Sequence, residues 1–104
     1  MRTVITALHC EIPEPLKDRA EAIGDRLGHL APRGHECVIV FDVEAANSKA
    51  TAEVRLHVPP GKWLIAKGED VDHRTALDRA EEKLKNQLDK VANKPNARAR
   101  AQGA

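Results

Sequence analysis

Apolar residues recur along the chain with two different spacings, and the alternation between these spacings predicts the order of elements. Segments that are β-branched, continuously apolar or strictly alternating predict strands over residues 2–9, 35–44, 50–58 and 62–67. Spacings of three and four predict an amphipathic helix after Pro13 that ends at residues 32–34, and a second helix after Asp70 or Asp72 that ends at residues 93–95. The order β-α-β-β-β-α predicts an α+β two-layer domain, with a four-stranded mixed sheet and two helices packed on one face.

A glycine, a tryptophan and the expected domain bounds refine this prediction. Gly68 is expected to end the fourth strand, since glycine weakens strand interiors. Trp63 is expected to pack between the sheet and a helix, where a large aromatic ring buries a large area. Residues 1–92 are expected to form a single domain, with residues 93–104 as a flexible basic tail.

Composition narrows the classes of function. The chain has 104 residues and a formal net charge of +1, so a strongly basic nucleic-acid binder is not visible in the total charge. Aromatic residues make up only 2%, which argues against proteins that stack nucleobases on exposed rings. Two cysteines are too few for a disulfide scaffold, and the apolar run near the start is too short for a signal or a membrane span. We therefore expect a cytoplasmic protein with no membrane partner.

Charges are segregated along both helical patterns. The basic residues of the last helix fall on one flank of its apolar stripe and comprise Arg79, Lys83, Lys90 and Lys94. The acidic residues assigned to its other flank are Asp78, Glu81, Glu82 and Asp89. On the first helix, Arg19 and Arg26 share one flank. Two interpretations are open: solvated faces stabilised by i,i+4 pairs, or a basic groove that follows a phosphate backbone.

Two stretches of the chain resemble a known family. LHCEIPEPLKD follows the first strand, and GEDVDHRTALDRAEEKLKNQLDK covers the last helix. Together with the element order and the length, they resemble the ribosome hibernation-promoting factor family over residues 3–92. That family includes protein Y, the ribosome-associated translation inhibitor A. Because the chain ends near the domain boundary, it resembles a short form without the dimerising C-terminal domain of long members.

The resemblance implies a non-enzymatic protein that binds the small ribosomal subunit and the intact ribosome. It would occupy the channel of messenger and transfer RNA and keep ribosomes idle under stress or in stationary phase. Asn86 stands where family members commonly carry arginine, and Asp89 adds a negative charge, so weaker binding is expected. Lys83, Lys90 and Lys17 match basic positions of the family. The full set of expected rRNA-binding residues is Lys17, Arg19, Arg26, Arg79, Lys83, Asn86, Lys90 and Lys94.

Other chemistry has less support in the sequence. Cys10, Cys37, His9 and His35 lack the spacing of a zinc site, and His57 is more typical of a surface cluster than of a general base. No metal, cofactor or small-molecule substrate is therefore expected. Two alternatives remain: a double-stranded-RNA-binding module that recognises shape, and a protein-interaction domain that ignores RNA. An exposed sheet face could also allow weak homo-oligomers.

Overall fold

The computed structural model describes residues 2–31, 36–58 and 61–103, with side chains as far as Lys90. Its elements are β1 Arg2–Ala7, α1 Glu14–Leu30, β2 Glu36–Val43, β3 Ala50–Val58, β4 Lys62–Asp70 and α2 His73–Gly103. This is the predicted order, and the α+β two-layer fold class is confirmed. The helix end predicted at residues 32–34 and the zinc candidate His35 lie outside the described residues.

The four strands form one mixed sheet in the order β1-β2-β3-β4. β1 pairs parallel with β2, because α1 returns the chain across the sheet between them. β2, β3 and β4 pair antiparallel in succession. The register places Cys37 opposite Leu56, and Ile39 opposite Val54, on the face toward the helices. We call the opposite face, which points away from both helices, the open face.

One apolar core lies between the sheet and the two helices. The helices contribute the stripe that the spacing predicted, with Ile23, Leu27, Leu77 and Leu84 fully buried. The strands contribute alternating residues, of which Cys37, Ile39, Phe41, Val54 and Leu56 are fully buried. Each large aliphatic side chain buried in this way contributes about 1.5–3 kcal/mol relative to an exposed one. The core therefore holds both helices against the same face of the sheet.

β4 continues through Gly68 to Asp70, so the prediction that Gly68 ends the strand is wrong. Gly68 lies against the first turns of α2, where a Cβ would overlap the carbonyl oxygen of Ala76 and lie 2.8 Å from Ala80 N. The missing side chain lets α2 approach the strand backbone closely. The three additional strand residues bring Glu69 and Asp70 alongside α2.

Trp63 lies on the open face, so its predicted position between sheet and helix is wrong. Side chains alternate along β4, and the neighbouring Leu64 is directed into the core at 5% exposure. Trp63 is therefore directed away from the helices and is 44% exposed. Its ring is tilted against that of His57 on β3, with the centroids 4.8 Å apart.

The ends of β1 and α2 also differ from the prediction. β1 ends at Ala7 rather than at residue 9, because His9 has a φ of 58°, a left-handed conformation that interrupts extended pairing. α2 continues to Gly103, past the end predicted at residues 93–95, since residues 97–101 are alanine and arginine, which favour helix. The side chains beyond Lys90 lie outside those described, and the flexible tail over residues 93–104 stays a prediction.

Candidate nucleic-acid interface

An open groove of about 480 Å³ runs between the outer edge of β4 and the exposed side of α2. We call it the β4–α2 groove. Its lining combines strand and helix residues, namely Lys67, Glu69, Arg79, Glu82, Lys83 and Asn86. Arg79, Lys83 and Asn86 belong to the predicted rRNA-binding set. Helical spacings of three and four bring these three residues to one side of α2.

Lys83 is held at the edge of the sheet. Its Nζ donates a hydrogen bond to the backbone carbonyl oxygen of Lys67 at 3.0 Å. One turn further along α2, Gln87 Nε2 donates to the carbonyl oxygen of Ile65 at 2.8 Å. These two carbonyls belong to the free edge of β4, which would otherwise be open to pairing. The same contact therefore closes the strand edge and positions the Lys83 ammonium beside Lys67.

Arg79 is oriented by a carboxylate at the end of β4. Its Nε donates to Asp70 Oδ2 at 2.9 Å, and Asp70 Oδ1 accepts the backbone N–H of Val71 at 2.7 Å. The Arg79 side chain is nevertheless 58% exposed, whereas that of Asp70 is only 23% exposed. The hydrogen bond engages Nε, and the half-exposed side chain keeps its terminal Nη donors for an anionic ligand.

The groove also contains acidic groups, and one of them was assigned to the wrong flank. Glu82 lines the groove together with Arg79 and Lys83, whereas the sequence interpretation placed it on the opposite, acidic flank. Its position three residues after Arg79 brings it to the same side of the helix. With Glu69 and Glu82 facing Lys67, Arg79 and Lys83, the lining carries three cations and two carboxylates. The groove is therefore only moderately basic.

The arginines of α1 contact α2 rather than the groove. Arg19 donates to both carboxylate oxygens of Asp78 at 2.9 Å. Arg26 donates to both oxygens of Glu81 at 3.0 and 3.1 Å, and the side chain of Glu81 is only 9% exposed. The hydrogen bond to Glu81 raises the pKa of the Arg26 guanidinium further above its ordinary value. These two bidentate pairs join the helices, which helical-wheel analysis of each helix alone could not reveal.

Three other predicted residues lie outside the groove lining. Lys90 is exposed on α2, seven positions after Lys83, and two helical turns bring it to the same side. Lys17 is about half exposed at the start of α1, with its Nζ 3.7 Å from Glu14 Oε1. The side chain of Lys94 lies outside those described. The predicted set is thus divided between the groove, the start of α1 and the contact between the helices.

Lys67 is a groove residue that the sequence interpretation missed. Its side chain is 54% exposed, and its Nζ lies 3.8 Å from Glu44 Oε2. The predicted fourth strand over residues 62–67 already contained Lys67, but the predicted rRNA-binding set included no strand residue. A strand extended to Asp70 pairs it with Glu53 and places it next to α2. The sequence signal that could have found it is the alternation of small or apolar residues at 64, 66 and 68, which places Lys67 on the other side of the strand.

A hydrogen-bonded cluster at the end of β2 joins this strand to the turn after β1 and to the start of α2. His9 Nδ1 lies 3.1 Å from Asp42 Oδ1, and the backbone N–H of Val43 donates to the same oxygen at 2.7 Å. The Val43 N–H, and after it His9, hold the pKa of the Asp42 carboxyl below its usual range. His73 Nε2 donates to the Asp42 carbonyl oxygen at 2.8 Å. Within the part of the chain that the structure describes, no three histidine, cysteine or acidic side chains are grouped to hold a metal ion.

The two cysteines are free thiols that differ in burial, since Cys10 is partly exposed and Cys37 is buried. Cys37 is fully buried beneath the helices, and burial raises its pKa to about 11. Desolvation, with a smaller effect of the Asp42 charge, also raises the pKa of Cys10. A thiol that stays protonated is a poor nucleophile and a poor metal ligand. Both thiols are therefore held toward their protonated form near neutral pH.

Solved structures of other proteins share this fold. A ribosomal subunit interface protein from Coxiella burnetii superimposes with a TM-score of 0.77 at 22% identity, covering 88% of this chain and 98% of that chain. The N-terminal domain of protein Y from Thermus thermophilus superimposes with a TM-score of 0.66 at 28% identity, covering 81% of this chain and 90% of that chain. No curated protein is similar enough in sequence to match.

The fold and the groove together define a class of protein, namely an α+β domain that presents a moderately basic groove beside its last helix. Residues 3–96 match the family described as "Sigma 54 modulation protein / S30EA ribosomal protein". The chain belongs to this family of ribosome-associated factors, and the family resemblance noted in the sequence is confirmed. Among the residues that the structure describes, no helix is long and apolar enough to cross a membrane.

Proposed function

We propose that this protein binds small-subunit rRNA in the channel of messenger and transfer RNA and keeps ribosomes idle in the cytoplasm. Stress and stationary phase are the conditions in which such an activity is useful. Membership of the family over residues 3–96 supports association with the ribosome. The observation that carries the rRNA contact is the β4–α2 groove, where Lys67, Arg79 and Lys83 meet. Cations in the groove can bind phosphate groups without making base-specific contacts. Such binding requires only the phosphate backbone of folded RNA.

The groove side chains differ in the hydrogen-bond donors that they can offer to phosphate oxygens. Lys83 uses one of its three donors on the Lys67 carbonyl, so two donors remain for a phosphate. Arg79 is held through Nε, so its terminal nitrogens can bind a second phosphate oxygen. Asn86 offers a neutral donor in place of a charge. Because Glu69 and Glu82 repel phosphates from the same groove, binding is expected to be weaker than a fully basic groove would allow.

The remaining cations extend the proposed contact. Lys90 continues the row beyond Asn86, Lys94 lies one turn further in the sequence, and Lys17 supplies a cation at the start of α1. Arg19 and Arg26 are included with a smaller effect, because each already pairs with a carboxylate of α2. Occupying the channel would itself exclude messenger and transfer RNA. The proposed activity therefore requires binding and no chemical step.

Sedimentation through sucrose gradients tests this proposal. Purified protein is mixed with separated small subunits, large subunits or intact ribosomes at low and at moderate salt. We expect co-migration with the small subunit and the intact ribosome that weakens as salt rises, and competition by messenger RNA with initiator transfer RNA. Equal competition by free duplex RNA would favour a double-stranded-RNA-binding module instead. Binding that salt does not affect would favour a protein-interaction domain, and either result would contradict the proposal.

A further inference from the structure

The two edge strands of the sheet differ in whether side chains cover their outer backbone groups. The strand order leaves β1 and β4 as edge strands. On β4, the side chains of Lys83 and Gln87 donate to the edge carbonyls of Lys67 and Ile65. Among the described residues, no side chain makes a corresponding hydrogen bond to the backbone of β1. Proteins commonly block exposed strand edges because unpaired backbone groups accept another strand. β4 is blocked in this way and β1 is not.

The orientation of the β1 backbone follows from one hydrogen bond. The N–H of Leu8 donates to the carbonyl oxygen of Phe41 on β2 at 2.8 Å. Because alternate residues of a strand face alternate edges, Val4 and Thr6 also direct their N–H and C=O groups to β2. Thr3, Ile5 and Ala7 must then direct theirs outward. None of the six residues of β1 is buried, whereas each of the other three strands has buried residues.

We propose that β1 is a pairing edge for a second copy of this chain, and that two copies join antiparallel through their β1 strands about a two-fold axis. Centring the axis on Ile5 makes Ile5 of each copy exchange both backbone hydrogen bonds with Ile5 of the other. Thr3 then pairs with Ala7 of the second copy in the same manner. The two four-stranded sheets become one continuous sheet, and every outward group of these residues is satisfied.

The side chains agree with this register. Residues 3–7 carry no charge and include four β-branched residues, which favour strand pairing. The only charged residue of β1, Arg2, would lie opposite Leu8 of the second copy and not opposite another arginine, so no like charges face each other along the paired strands. Val4 and Ile5, both partly exposed in one copy, would become more buried. The interaction is independent of rRNA binding, because the β4–α2 groove lies at the opposite edge of the sheet.

A strand pair of this length buries little surface. We expect a dissociation constant between about 10 μM and 1 mM, since the contact is smaller than the ~1,200 Å² at which standard interfaces begin. Sedimentation equilibrium of the free protein should therefore show monomer at low concentration and increasing dimer toward ~1 mM.

Amide hydrogen exchange in the unmodified protein gives the sharpest readout. The amides of Val4 and Thr6 are protected by β2 at every concentration. Those of Ile5 and Ala7 should exchange several-fold more slowly at high concentration than at low concentration, because only pairing with a second copy protects them. A monomer throughout the concentration range, or exchange of Ile5 and Ala7 that does not depend on concentration, would overturn the proposal.

Two variants distinguish the β1 edge from the open face. Ala7→Pro removes an outward N–H, keeps the hydrogen bonds to β2, and should abolish the dimer. Trp63→Ala removes the half-exposed ring of the open face and should leave the dimer unchanged. A dimer that survives Ala7→Pro and disappears in Trp63→Ala would show that the open face is the contact and would refute the role of β1.

Discussion

Gly68 is the position where one added methyl group should be most damaging. In Gly68→Ala, the new Cβ would overlap the carbonyl oxygen of Ala76 and lie 2.8 Å from Ala80 N. Both obstacles are backbone atoms of α2, so no change of rotamer can relieve the overlap and the helix has to move away from β4. Overpacking of this kind costs about 1–3 kcal/mol, occasionally more. We expect a loss of about 3 kcal/mol, the upper end of that range, because the obstacle is rigid.

Gly24→Ala is the matched control. A Cβ on Gly24 would also overlap a neighbour, but that neighbour is the side chain of Thr3, which can turn about χ1 by ~30° at a cost of about 0.5–1.5 kcal/mol. Alanine gains about 1 kcal/mol over glycine within a helix, so the net change in unfolding free energy should be close to zero. Urea unfolding followed by far-ultraviolet circular dichroism measures both variants. If Gly68→Ala unfolds at the wild-type urea concentration, the close approach of α2 to β4 is incorrect.

The helix pairing, the helix cap and the thiols offer further tests. Glu81→Gln should cost about 1 kcal/mol in urea unfolding, since it weakens a hydrogen-bonded ion pair whose partner, Arg26, is half exposed and screened. An unchanged midpoint would mean that the pair does not join the helices. Asp72 caps α2, and hydrogen bonds from the first turn of α2 lower the pKa of the Asp72 carboxyl. The stabilisation by the ionised cap is therefore complete above the unfolded-state pKa of about 3.9. It is lost as the pH falls through the lower folded-state pKa. Asp72→Ala should therefore lower the thermal midpoint near neutral pH and have little effect in strong acid; an equal effect at both would exclude this linkage. In the native protein a thiol reagent should modify Cys10 before Cys37, because Cys37 is fully buried and has a pKa of about 11. The reverse order of modification would contradict the placement of β2.

The fold could be predicted because hydrophobic spacing reports directly on burial. The clean alternation over residues 50–58 predicted β3 with the bounds that the structure has, and the stripe containing Leu77 and Leu84 predicted the buried side of α2. Gly68 was misread because a glycine in a strand has two meanings: a break in the strand, or a close approach of another backbone. Only the position of α2 decides between them, and that position is a property of the assembled fold.

The candidate site was only partly predictable for a similar reason. Helical spacing placed Arg79 and Lys83 on one flank of α2, and both line the groove, whereas Asn86 entered the predicted set through the family resemblance. It could not show that Arg19 and Arg26 are paired with carboxylates of the other helix, since those contacts depend on how the helices pack. A local pattern describes a helix by itself, whereas the charge available to a ligand depends on the neighbours that the fold supplies.

The salt dependence of ribosome binding tests the central claim most directly. Lys83→Gln with Lys90→Gln removes two charges from the proposed RNA-binding side of α2, and glutamine at 83 retains an N–H donor for the Lys67 carbonyl. Arg2→Gln with Lys62→Gln removes the same charge from exposed positions outside the groove. If the groove binds rRNA phosphates, the first pair should weaken binding to small subunits and reduce the slope of log K against log salt by about 1.4–1.8, at roughly 0.7–0.9 for each lost contact. The second pair should leave that slope unchanged. Equal slopes for the wild type and the Lys83–Lys90 pair, with both proteins folded, would contradict the account.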